Sequence, residues 1–178
     1  VTFDTGLYCV YTKSAISIVI EDSTFTHCGW DGTAADEPQD QAAYAALWAG
    51  AHTSSGGAMR LRNSAQVTVQ RNTAFVNLRG LRIQDVASGV IADNTVYNNM
   101  ESGIYLASGS YDGASGSHDM VVRDNNVYEN RNNGLLVIGG YSNTLENNTV
   151  LDNYNSGIMA WHTTTLTISG NTLSGNNH

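Results

Sequence analysis

Val121-Val122-Arg123-Asp124-Asn125-Asn126-Val127-Tyr128-Glu129-Asn130 sets two asparagines, Asn125 and Asn130, five positions apart, each preceded by a short apolar run and polar residues. The same frame recurs along the chain. Its first asparagine stands at Asn72, Asn94, Asn125, Asn148 and Asn171 and its second at Asn77, Asn99, Asn130, Asn153 and Asn176, in steps of 22, 31, 23 and 23 residues. Asp22 and His27 fill the same two places in an earlier, degenerate copy. A glycine follows each second asparagine by three or four residues, at Gly80, Gly103, Gly134 and Gly157, and opens an apolar run such as Ile104-Tyr105-Leu106. A fixed period of this length marks stacked repeats, and short apolar runs between turn residues mark strands. Stacking coils at the strand spacing of about 4.8 Å brings like side chains into register, so asparagine amides can bond from coil to coil. Asparagine also tolerates the left-handed conformation of a corner, while glycine suits a corner or a place where backbones touch.

The sequence is therefore read as all-β, a single-stranded parallel β-helix of about six coils. A leucine-rich repeat is the structural rival, because Leu166-Thr167-Ile168-Ser169-Gly170-Asn171-Thr172-Leu173 fits its strand-plus-asparagine frame. Each unit here, however, carries further short strands where that repeat places a helix or convex segment. The pattern resembles the right-handed parallel β-helix repeats of polysaccharide lyases, mannuronan C5-epimerases, pectinase-like hydrolases, phage tailspikes and NosD-like periplasmic proteins. The resemblance extends over nearly the whole chain. It implies a right-handed solenoid that binds or processes an acidic polysaccharide, as a lyase or epimerase, or else a non-catalytic structural or adhesive segment of a larger surface or phage protein. The family motifs depart from this sequence. The Asp-Pro-His motif of mannuronan epimerases is missing, since the one proline is Pro38 in Glu37-Pro38-Gln39, and the pectate-lyase and polygalacturonase signatures are missing too.

The 178 residues suit one domain, 1–178, with insertions at 31–56 and 109–118. The pattern starts and stops without polar caps, so a fragment of a longer solenoid is expected, with neighbouring domains or chains at its ends. A net charge of −8, from 8 basic and 16 acidic residues, disfavours nucleic acid and anionic membrane surfaces as partners. No apolar run reaches the roughly 20 residues of a membrane span. The acidic, lysine-poor composition leans toward a secreted or cell-surface protein of bacterial or phage origin. Cys9 and Cys28 are read as two buried thiols in preference to a bridge, and Cys9, His27 and Cys28 lack the spacing of a metal site. Insertion one predicts a short helix from Pro38 to Ala49 with Tyr44, Leu47 and Trp48 on one side.

Both insertions flank one sheet, the first entering before Ala58–Arg62 and the second leaving after Ile104–Ser108, and long loops on a rigid scaffold are where binding and catalysis concentrate. Alternation sends Met59, Leu61, Leu81, Ile83, Ile104 and Leu106 inward. The outward set is Arg60, Arg62, Arg82, Gln84 and Tyr105, with Tyr8 as its equivalent in coil one and Trp161 in the last coil. Asp85 and His162 follow at the edge. Four of the eight basic residues, Arg60, Arg62, Arg79 and Arg82, gather on two neighbouring coils against the global charge. Guanidinium forks match carboxylates and aromatic faces suit sugar rings, so a groove for an acidic polysaccharide follows. Arg60 and Arg82 would neutralise a uronate carboxylate, and Tyr105 or His118 would transfer a proton. Tyr8, Arg62, Gln84, Asp85, Trp161 and His162 would bind substrate. The bland alternative pairs the arginines with Asp85, Glu101 or the acids of insertion one. Calcium could be held by Asp112, Asp119 and neighbouring acids, although no recognised ligand spacing is present; no other cofactor is implied.

Overall fold

The computed structural model describes residues 1–6, 8–29, 56–109 and 115–177. The predicted helix at 38–49, Trp30, Trp48, Tyr111 and Asp112 lie outside these residues. Among the described residues every paired strand is parallel and no helix occurs. β1 (Thr2–Gly6) leads into coil one, formed by β2 (Tyr8–Lys13), β3 (Ile16–Glu21) and β4 (Thr24–Cys28). Coil two is β5 (Gly57–Arg62), β6 (Ala65–Gln70) and β7 (Thr73–Phe75). Coil three is β8 (Leu81–Gln84), β9 (Ala87–Ala92) and β10 (Thr95–Tyr97). Coil four is β11 (Ile104–Ala107), β12 (His118–Arg123) and β13 (Asn126–Tyr128). Coil five is β14 (Leu135–Ile138), β15 (Thr144–Glu146) and β16 (Thr149–Leu151), and coil six is β17 (Ile158–Trp161), β18 (Thr167–Ser169) and β19 (Thr172–Ser174). Like strands stack into a first sheet led by β1 and β4, a second led by β2 and β5, and a third led by β3 and β6. The three sheets enclose one apolar core.

The inward set matches the alternation. Met59, Leu61, Leu81, Ile83, Ile104, Leu106, Leu135 and Val137 are all buried. In β6, Val67 and Val69 face in while Thr68 and Gln70 face out. Coil six differs: Ile168 and Leu173 are 50% and 52% exposed, whereas Leu145 and Val150, their register partners one coil earlier, are at 1% and 0%.

Both asparagine columns form continuous ladders. The Oδ1 of Asn99 accepts from the backbone N and the Nδ2 of Asn77, each at 3.0 Å, and its own Nδ2 donates to Asn130 Oδ1 at 2.9 Å and to Ala74 O at 3.1 Å. Asn94, Asn125, Asn148 and Asn171 repeat the scheme in the other column. The ladder thus satisfies corner backbone groups that the core would otherwise strand.

Three expectations are corrected. The left-handed corner residue is the one before each ladder asparagine: Arg71, Asp93, Asp124 and Asn147 in one column and Val76, Asn98, Glu129 and Asp152 in the other, all with φ between 51° and 56°. That residue bends the chain, and the asparagine after it is delivered inward. In coil one the ladder places consequently belong to Ser23 and Cys28, whose backbone N atoms donate to Asn72 Oδ1 and Asn77 Oδ1, and not to Asp22 and His27, which are the left-handed residues. The cysteines are also bridged. Turning Cys28 inward at the end of β4 sets its Cα 5.7 Å from that of Cys9 in β2, within disulfide reach.

The glycine column follows from close backbone approach. A Cβ on Gly103 would lie 2.6 Å from Val127 Cγ1 and 3.0 Å from Gly134 O.

Candidate functional site

The second sheet presents two outward rows. Register aligns Tyr11, Arg60, Arg82, Tyr105, Leu136 and Met159 in one, and Lys13, Arg62, Gln84 and Ala107 in the other, with Ile138 and Trp161 continuing it. Tyr11 and not Tyr8 is therefore the coil-one partner of Arg60. Tyr8 stands opposite Gly57, since both Cys9 and Val10 pack against the core and the strict alternation slips there. Its ring nonetheless lies 5.6 Å from that of Tyr11, and its hydroxyl accepts from Arg60 Nη1 at 3.2 Å.

Arg60 also donates through Nη2 to Gln84 Oε1 at 2.6 Å. Gln84 Nε2 donates to Asp85 Oδ2 at 3.3 Å, and Asp85 Oδ1 accepts from the backbone N of Gly109 at 2.8 Å, at the stem of insertion two. Gln84 is 4% exposed. Gln84 and Asp85 thus fix the Arg60 guanidinium and the loop stem relative to one another. Arg82 lies over the Tyr105 ring, 5.3 Å from its centroid, in cation–π contact.

The arginines divide into two kinds. Arg79 binds Glu101 through both Nε and Nη2, at 2.6 Å and 2.5 Å, so the paired reading holds for it. Among the described residues, no ion pair includes Arg60, Arg62 or Arg82. Among the same residues the buried Nε of each also has no hydrogen-bond partner. Burial, and after it the neighbouring Arg60 guanidinium, hold Arg82 below the ordinary arginine value. Among the described residues Arg82 is thus a half-buried cation beside a like charge and without a carboxylate partner.

The remaining candidates fall elsewhere. His118 opens β12 on the third sheet, so insertion two ends before it; its Nδ1 meets Asp119 Oδ2 at 2.9 Å and its ring stacks on Tyr141 at 4.5 Å. The structure therefore does not bring His118 together with Arg60, Arg82 and Tyr105. Trp161 and His162 lie at the coil-six end of the second sheet, with ring centroids 4.8 Å apart. Among the described residues no group of three or more His, Cys, Asp or Glu converges as metal ligands. Lys13 and Tyr11 escaped the sequence reading, although counting back from the ladder with Ser23 in the asparagine column would have found them.

The comparisons bear on the scaffold. The model of the right handed beta helix region matches residues 1–116 and 112–178. The chain belongs to this right-handed β-helix family. Among solved structures, the periplasmic alginate epimerase AlgG superposes on 99% of the chain with a TM-score of 0.59 and 13% identity, covering 43% of the epimerase chain. A point mutant of the same enzyme gives 0.56 and 12% over 98% of this chain and 44% of its own. The chain thus spans less than half the length of these β-helix relatives, and at such identity they share the fold alone. No curated protein sequence matches significantly.

Proposed function

We propose that the second sheet binds an acidic polysaccharide and that Arg82 and Tyr105 process a uronate held there. One observation carries the reading: in a chain of net charge −8, Arg60, Arg62 and Arg82 share one face with no carboxylate partner among the described residues. A uronate carboxylate would restore the missing charge with bidentate geometry. Neutralising that carboxylate acidifies the C5 proton, which Tyr105 beside Arg82 would take up; in β-elimination that proton passes to O4 as the C4–O4 bond breaks, and in C5 epimerisation water returns a proton to the other face of C5. The alginate-epimerase architecture of the structural relatives supports the same substrate class. The Cys9–Cys28 disulfide supports an extracytoplasmic setting. Both reactions begin with loss of the C5 proton. Incubation with oligo-uronates in deuterated water should therefore give deuterium at C5 or an absorbance rise near 235 nm, lost in Tyr105→Phe. Neither signal would remove the catalytic half of the proposal.

A further inference from the structure

The second sheet changes character along its axis. Its cations, Lys13, Arg60, Arg62 and Arg82, sit on coils one to three. The outward positions of coils five and six are Leu136, Ile138, Met159 and Trp161, the last two 40% and 53% exposed. A homopolymeric polyuronate carries a carboxylate on every sugar, so those lying over coils five and six would lose water against apolar side chains with no counter-charge. A neutral sugar offers the same surface its apolar ring face, which stacks on an indole.

We infer that the ligand is a heteroglycan, in which an acidic sugar seated at Arg60 and Arg82 is followed by neutral sugars that run toward Trp161. This rests on the polysaccharide reading above and specifies its substrate class. Coils three and six are three strand spacings apart, about 14 Å, so the ligand must be several sugars long to reach both ends. Trp161 is the distal stacking platform, with the His162 ring 4.8 Å away as its flank.

Calorimetric titration of the intact chain distinguishes the cases. The probes are a de-esterified gellan oligosaccharide, whose single glucuronates are separated by runs of neutral sugars, an oligoguluronate of equal length, and free glucuronate. The gellan oligosaccharide should bind roughly tenfold tighter than the oligoguluronate, and Trp161→Ala should remove most of that margin. The same variant should keep the wild-type melting temperature, which shows that it is folded. Equal or tighter binding of oligoguluronate, or an unchanged gellan affinity in Trp161→Ala, overturns the inference and leaves the groove standing. Failure of all three probes to bind overturns the groove and the inference with it.

Discussion

Arg82 is stabilised less by its surroundings than an exposed arginine would be, because burial and the Arg60 charge both oppose its protonation. Arg82→Met keeps the aliphatic stem and removes the charge, so it should raise the melting temperature while weakening oligo-uronate binding roughly tenfold to a hundredfold. Melting and titration of the same sample check both halves. The ladder asparagines make the opposite case. Asn99→Ala would leave two buried donors of Asn77 without their acceptor and should cost about 2–4 kcal/mol. Asn176→Ala, in the last coil, should cost about 1 kcal/mol, as read by denaturant unfolding. These asparagines were legible from the sequence because a polar side chain that repeats every 22 or 23 residues must meet its own kind. What Gln84 does was not legible, because its burial depends on Arg60 in the preceding coil and on Asp85 and Gly109 at the loop stem.

Strands and corners were predicted in kind, and the errors in coil one have a common source. Insertion one separates Cys28 from β5, which removes the 22-residue spacing that pins the other copies. Asp22 and His27 were therefore placed one position early, and the inward turn of Cys28 went unseen. Reduction of the Cys9–Cys28 bridge, which closes a loop of 19 residues, should destabilise the chain by about 3 kcal/mol, seen as a lower melting temperature in dithiothreitol. Loss of amide protection should begin in coil one. The glycine column gives a second element-level test. Gly103→Ala drives a methyl into Val127, Asn130 and the Gly134 backbone, and should cost about 1–3 kcal/mol in denaturant unfolding.

Across the whole molecule, six coils supply a rigid frame on which each outward residue sits about 4.8 Å from its counterpart in the next coil. That spacing turns a sequence repeat into a row of side chains, and on the second sheet the row collects cations that the overall charge of −8 opposes. Arg71 offers an internal control, since it is bound to Glu21 and Asp22 at 2.8 Å each on a different side of the coil. The most direct test titrates one oligo-uronate, at low and moderate salt, into the wild type, Arg82→Met and Arg71→Met. Saturable binding that weakens with salt, is lost in Arg82→Met and persists in Arg71→Met is the predicted result. Equal binding by the two variants, or none by the wild type, would contradict the assignment of the second sheet as an acidic-polysaccharide site.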